Sequence, residues 1–215
     1  MTDKRINVYI PNLPHRTERK ESILKEFSDK GVYRITMVVP ENHPVPSASL
    51  WKTFVKIVAE EDKSGSEYFI FCEDDHIFTS DYSEPLMLEN IRQAQELGAD
   101  LLSGGFSWYD MPIQISNHLF WVKDFTGMQF TVVYRKFYRT ILDSDIHGNH
   151  TLDLYLSTLS DDILVMSPYI SVQKEFGYSD VTSKNNVGGF VSNYFKKRNQ
   201  TLNLLRKVKE KLSYL

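Results

Sequence analysis

The sequence is poor in cysteine and contains no long apolar run. Its one cysteine, Cys72, cannot form a disulfide within the chain, and a zinc site built on several thiolates is excluded. No window reaches the roughly 18 to 20 apolar residues that a membrane-spanning helix needs. The first residues also lack the charged, apolar and small-residue regions of a secretory signal. We therefore expect a cytoplasmic protein.

Positive charge is not in excess either. The 215 residues include 25 Lys and Arg against 28 Asp and Glu, a formal net charge of −3. A nucleic-acid binder that relies on overall positive charge is therefore excluded, and we expect no nucleic-acid partner. With 41% hydrophobic and 13% aromatic residues, the chain has the composition of a folded protein, and its length fits one large domain with at most a small appendage.

Apolar runs alternate with amphipathic segments over the first hundred residues. Strands are expected at 6–10, 33–39, 68–72 and 101–102. Helices are expected at 16–30 and 83–97, and Ser47 or Ser49 is expected to cap a further helix between them. This alternation predicts an α/β fold with a mostly parallel, doubly wound sheet and right-handed crossovers.

The rhythm changes after residue 105. Apolar runs at 119–122 and 129–134 are separated by a short connection, and further segments at 152–159 and 163–166 are typical of a helix and a strand. We therefore expect the C-terminal part of the sheet to be mixed or antiparallel.

The last twenty residues differ in composition from the rest. The segment 196–215 holds seven Lys or Arg and one Glu, with Leu202, Leu205, Val208, Leu212 and Leu215 on one helical face. We divide the chain into a single domain over 1–195 and a basic amphipathic helix over 196–215. This helix either packs on the core, rests on an anionic membrane surface at the inner face of the membrane, or binds a partner.

An acidic tetrapeptide, Glu73-Asp74-Asp75-His76, directly follows the strand at 68–72. Ligands of open parallel sheets bind at the carboxyl ends of the strands. In an extended chain, Glu73 and Asp75 point to one side and Asp74 to the other. That geometry offers two carboxylates to one hard cation, Mg²⁺ or Mn²⁺, bridging a diphosphate. The alternative is a solvated acidic turn.

A second polar cluster, from Asn12 to Arg19, follows the first strand and opens a helix. Helix N-termini favour anions through their free N–H groups and dipole. Arg16 and Arg19 are three residues apart, so they are neighbours on the helix and can clamp a phosphate or stack on a base. The alternative is that both are surface arginines paired with nearby glutamates.

Together the two clusters resemble glycosyltransferase family 25, the lipopolysaccharide-type galactosyltransferases, which have the GT-A fold. The resemblance covers roughly residues 4–175. The family has a strand followed by Asn-Leu, an Arg and an acid-Arg pair, and about sixty residues later an apolar strand leading into Glu-Asp-Asp. The matching residues here are Asn12, Leu13, Arg16, Glu18 and Arg19, then Glu73, Asp74 and Asp75.

The resemblance implies an inverting transferase that moves a hexose, galactose first, from a UDP-sugar to a glycan or lipid-linked acceptor such as lipopolysaccharide or capsule. Mn²⁺ or Mg²⁺ would be held by Glu73 and Asp75, with Asp75 also counted as catalytic. The residues expected to bind the donor are Asn12, Arg16, Arg19, Asp74 and His76.

An inverting transfer needs a carboxylate that deprotonates the acceptor hydroxyl. We prefer Asp153, in the first turn of a late helix, although a partner for the helix dipole explains that position equally well. Asp110, Asp161 and Asp162 are competitors.

Aromatic residues beside Gly104-Gly105 are candidates for acceptor binding. Trp108 and Tyr109 could stack on a sugar, and the glycine pair indicates an exposed, mobile segment. The alternative is ordinary core packing.

Two other functions stay open. One is a metal-dependent phosphoesterase that uses the acidic residues, and the other is a catalytically degenerate relative that binds a nucleotide or glycan.

Overall fold

A computed structural model describes residues 5–145, 151–177 and 189–212. It is an α/β protein, as the sequence predicts. The helices are α1 (Thr17–Phe27), α2 (Pro46–Ser64), α3 (Glu84–Glu96), α4 (Arg135–Leu142), α5 (Leu152–Leu159) and α6 (Phe190–Leu212). The strands are β1 (Ile6–Pro11), β2 (Tyr33–Val38), β3 (Tyr68–Cys72), β4 (His76–Phe78), β5 (Leu101–Ser103), β6 (Trp108–Tyr109), β7 (Ile113–Gln114), β8 (Leu119–Trp121), β9 (Phe125–Thr126), β10 (Phe130–Tyr134), β11 (Ile163–Met166) and β12 (Ser171–Gln173).

Eight of these strands form the central sheet, in the order β2-β1-β3-β10-β5-β11-β8-β7. β1 runs parallel to β2 and β3, and β5 runs parallel to β11. β10 is antiparallel to both of its neighbours, and β8 is antiparallel to β11 and β7. Six of the eight described strands therefore share one direction, which confirms a mostly parallel sheet whose later strands are mixed.

Helices cover both faces of the sheet because the central strands are apolar on both sides. In β3, Phe69 and Phe71 point into a core formed with α2, α4, α5 and α6. Ile70 and Cys72 point into a second core, formed with α1 and α3. The continuous apolar run at 68–72 thus forms a strand whose side chains are buried on both faces of the sheet.

Helix α2 begins at Pro46, with Val45 at the N-cap position. The expected cap by Ser47 or Ser49 is wrong. Proline fits the first helical turn because its missing N–H has no partner there. The Ser49 hydroxyl instead donates a hydrogen bond of 2.5 Å to the backbone carbonyl of Glu41.

The C-terminal helix α6 starts at Phe190, six residues before the expected boundary at 196. Val191, Phe195 and Leu202 are buried in the core. Beyond Leu202 the helix leaves an open groove of about 450 Å³, lined by Pro112, Gln114, Phe120, Leu205, Val208, Lys209 and Leu212. Its apolar stripe therefore packs on the core only in its first half, and Leu215 lies outside the described residues. Within the described ranges, no helix has the length and hydrophobicity required to cross a membrane.

Gly104 and Gly105 are both buried, so the expectation that this pair is exposed is wrong. The backbone here passes close to the strand β12. A Cβ added to Gly105 would overlap the Ser171 carbonyl oxygen and stand 2.9 Å from the Tyr169 ring. Glycine is required at this position for close packing.

We expect Gly105→Ala to destabilise the protein by about 1–3 kcal/mol, because the added methyl must displace backbone. Gly31→Ala is the matched control, since a Cβ there meets nothing within 4 Å. Urea unfolding of both variants checks this expectation. Equal stability of the two variants would contradict the close packing.

Candidate functional site

The two polar clusters found in the sequence meet at one edge of the sheet. Asn12 follows β1 and Glu73 follows β3, and these strands are parallel neighbours. Their carboxyl ends therefore lie side by side, with helix α1 starting just beyond Asn12. This is the edge at which open α/β sheets bind ligands.

Arg19 joins the clusters directly. Its Nη1 atom lies 2.9 Å from Asp74 Oδ1 and 2.9 Å from Asp75 Oδ2. Asn12 donates from Nδ2 to Asp74 Oδ2 at 3.0 Å, and Arg16 Nη1 lies 3.5 Å from the same oxygen. Residues more than fifty positions apart in sequence therefore form one charged network.

The acidic segment turns immediately after β3. The backbone N–H of His76 donates to the Glu73 carbonyl at 3.2 Å, which closes the turn. The expectation that Asp74 points away from Asp75 is therefore wrong, because it assumed an extended chain. The turn brings both aspartates to Arg19.

Two glutamines complete the network, and no sequence motif marked them. Gln129 donates from Nε2 to Glu73 Oε2 at 3.2 Å and contacts Gln173 Oε1 at 3.3 Å. Gln173 donates from Nε2 to Asp75 Oδ2 at 3.0 Å. Their position, one just before β10 and one at the end of β12, depends on the pairing of distant strands.

Among the described residues of this network, acidic groups outnumber basic groups. Three carboxylates face two guanidinium groups, those of Arg16 and Arg19. Burial raises the pKa of Asp75 to about 6, against the opposing effect of Arg19. Desolvation, followed by the charges of Asp75, Asp153 and Asp74, raises the pKa of Glu73 well above its usual range.

The carboxylates of this network fit a cation whose remaining ligands would come from a substrate and water. No group of three or more His, Cys, Asp or Glu in the described ranges forms a preformed metal site. Mg²⁺, however, is usually held by one or two carboxylates together with substrate phosphates and water. Asp75 Oδ1 is buried and has no hydrogen-bond partner among the described residues, so it could accept such a ligand bond.

Asp153 lies at the start of α5, where its carboxylate is held in place. Oδ2 accepts the backbone N–H of Gly127 at 2.8 Å, and Oδ1 accepts the Thr151 hydroxyl and the N–H of Leu154. Its charge contributes to the raised pKa of Glu73, so it lies close enough to Glu73 to interact with it electrostatically.

The competing aspartates lie elsewhere. Asp161 and Asp162 precede β11 at the opposite edge of the sheet and pair with Lys123 and Lys136. Asp110 is an exposed residue whose backbone N–H bonds to the Asp124 carbonyl, next to the β6–β9 pair.

His76 is a core residue. It is 1% exposed, and its ring lies between Phe27, Phe78 and Phe130. Its Nδ1 is 2.7 Å from the Ser171 hydroxyl, and desolvation lowers its pKa to about 3. A neutral, enclosed imidazole does not favour the donor contact expected from the sequence.

The two acceptor candidates have different environments. Tyr109 is buried, and its hydroxyl donates 2.8 Å to the Arg198 carbonyl, so its ring is not available for stacking on a sugar. Trp108 is half-buried and borders a small cleft beside Gln173.

No protein-family profile and no curated protein sequence matches this chain. Solved structures of low similarity include a UDP-glucose pyrophosphorylase complexed with UDP-glucose, at 12% identity and a TM-score of 0.45, covering 90% of this chain and 82% of that one. HddC from Yersinia pseudotuberculosis has 12% identity and a TM-score of 0.43, covering 94% and 80%. A glycosyltransferase involved in glycosylation of the major capsid of PBCV-1 has 12% identity and a TM-score of 0.42, covering 75% and 93%.

We expect Arg19→Met to destabilise the folded chain by about 3–5 kcal/mol near neutral pH, because two buried carboxylates lose their cation. The pKa of Asp75 is about 6 beside Arg19, and loss of that cation raises it further. Below the unfolded pKa near 4 the Asp75 carboxyl is neutral in both proteins, whereas above about 6 it ionises beside Arg19 in the wild type and has no such cation in the variant. The stability gap between wild type and the variant should therefore widen from pH 5 to pH 8, as measured by urea unfolding.

Arg92→Met is the control, because Arg92 makes exposed ion pairs with Glu89 and Glu96. Its stability should stay that of wild type. An Arg19→Met variant as stable as Arg92→Met at pH 8 would contradict the buried bridge.

Proposed function

We propose that this protein is a nucleotide-sugar-dependent glycosyltransferase that inverts at the anomeric carbon. The supporting observation is the contact of Arg19 with Asp74 and Asp75, which joins the two motifs that resemble glycosyltransferase family 25. On this proposal the donor is a UDP-sugar, the transferred group is a hexose such as galactose, and the acceptor is a glycan or a lipid-linked glycan.

Glu73 and Asp75 would hold Mn²⁺ or Mg²⁺. When bound, the cation neutralises the diphosphate that leaves the sugar. The excess negative charge, the raised pKa values of both residues and the unpartnered Asp75 Oδ1 support this assignment.

Arg19 positions the two aspartates. Its side chain is 6% exposed and its Nη1 is committed to both carboxylates, so it fixes their orientation. Arg16 is more exposed, at 14%, and lies at the N-cap of α1. Its guanidinium lies beside the acidic residues, where a nucleotide phosphate or ribose would lie, and Asn12, whose amide donates to Asp74, borders the same place.

Asp153 is our candidate for the base that takes the proton of the acceptor hydroxyl. The Gly127 N–H and the Thr151 hydroxyl hold its carboxylate in one orientation. A preorganised carboxylate near the reacting centre provides the proton transfer that inversion needs.

The test is an assay of UDP release from UDP-hexoses, with Mn²⁺ and a panel of glycan acceptors. Asp153→Asn should lower turnover by about 10²–10⁴-fold, the usual contribution of a general base, while leaving UDP affinity unchanged. Asp161→Asn is the control, since Asp161 pairs with Lys123 at the opposite edge of the sheet. It should retain full turnover.

Other outcomes favour the alternatives. Full turnover by Asp153→Asn would remove it as the base. Donor binding without transfer to any acceptor would favour a non-catalytic relative. Cleavage of phosphodiesters, with no use of a nucleotide sugar, would favour a phosphoesterase.

A further inference from the structure

A small cleft lies next to the acidic network, between the β6–β9 pair, the end of β12 and the start of α6. Its volume is about 230 Å³, below the roughly 300–1,000 Å³ typical of pockets for drug-sized ligands. The described residues that line it are Ser107, Trp108, Thr126, Gln173, Phe190, Val191 and Tyr194.

Aromatic rings make up much of its wall. Trp108 is half-buried, and Tyr194 is 43% exposed although it is a large aromatic residue. The rings of Phe190 and Tyr194 are in contact, with centroids 4.9 Å apart. These side chains present apolar surface to whatever enters the cleft.

Apart from Val191, the remaining described lining is polar and uncharged. Ser107 and Thr126 contribute hydroxyl groups, and Gln173 contributes an amide. The described lining residues include no Lys, Arg, Asp or Glu. Apolar faces combined with neutral hydrogen-bonding groups match a sugar ring, which has apolar C–H faces and hydroxyls at its edge. They do not match a phosphate, which needs cationic or N–H donors.

The cleft is linked through its lining residues to both the candidate metal ligand Asp75 and the candidate base Asp153. Gln173 lines it and donates to Asp75 Oδ2 at 3.0 Å. Thr126 lines it and precedes Gly127, whose N–H donates to Asp153. One lining residue thus contacts the candidate metal ligand, and the chain neighbour of another contacts the candidate base.

We propose that this cleft is the acceptor subsite and takes one neutral pyranose ring, stacked on Trp108 with Tyr194 at its side. The proposal rests on the proposed function and deepens it by naming the class of acceptor. It replaces Tyr109 by Tyr194 as the second aromatic contact and adds Gln173 as a specificity residue.

The experiment measures binding of a panel of methyl glycosides, of the common hexoses and N-acetylhexosamines, by saturation-transfer NMR and titration with UDP and Mn²⁺ present. At least one should bind to the wild-type protein. Trp108→Ala and Tyr194→Ala should each weaken binding of that glycoside about tenfold, because each variant loses one stacking contact with the sugar ring. UDP affinity should not change.

Two variants control for folding and position. Tyr194→Phe keeps the ring and should keep glycoside affinity. Leu204→Ala, on the same helix at a side chain that is 62% exposed and outside the cleft, should leave all binding unchanged.

The outcomes separate this inference from the proposed function. UDP binding without any glycoside binding, or glycoside binding unaffected by Trp108→Ala and Tyr194→Ala, overturns the acceptor subsite alone. Loss of UDP affinity in Trp108→Ala overturns it in favour of a nucleoside contact. Glycoside binding that depends on Trp108, with no UDP binding, supports the sugar site and contradicts the transferase.

Discussion

The ion pair between Arg19 and the two aspartates after β3 holds the site together. It ties helix α1, which follows β1, to the turn that follows β3, and so fixes the positions of Asp74 and Asp75 at this edge. A carboxylate pair buried without a cation would cost several kcal/mol. The guanidinium offsets that cost and also gives Asp74 and Asp75 a single orientation, which the chain alone would not impose.

The two arginines do not fully compensate the charge of the acidic residues, and the uncompensated negative charge suggests that a cation binds here. Arg16 and Arg19 do not balance Glu73, Asp74, Asp75 and the nearby Asp153. Burial raises the pKa values of Glu73 and Asp75, and the neighbouring carboxylates raise them further. Clustered groups with such shifts are common at functional sites, where stability is lost in exchange for binding. A divalent cation would supply positive charge here, and Asp75 Oδ1, which has no hydrogen-bond partner among the described residues, could coordinate it.

Features that depend on local pattern were predictable from the sequence, and features that depend on distant pairing were not. Buried strands such as 68–72 follow from an apolar run, and the meeting of Asn12 with Asp74 follows from parallel strands ending at one edge. The turn after Cys72 did not follow, because an acidic tetrapeptide is compatible with extended or turned backbone. The positions of Gln129 and Gln173 did not follow either, because β10 inserts between β3 and β5. The tight packing of Gly105 against β12 was likewise not predictable from the local sequence.

The most direct test of the account is calorimetric titration of UDP into wild type and Asp75→Asn, each with Mn²⁺ and with EDTA. Arg19 keeps its contact with Asp74 in that variant, so the site should still fold. We predict that UDP binds the wild-type protein tightly only when Mn²⁺ is present, and that Asp75→Asn removes this dependence together with most of the affinity. Equal UDP affinity with Mn²⁺ and EDTA, or an unchanged metal dependence in Asp75→Asn, would contradict the account.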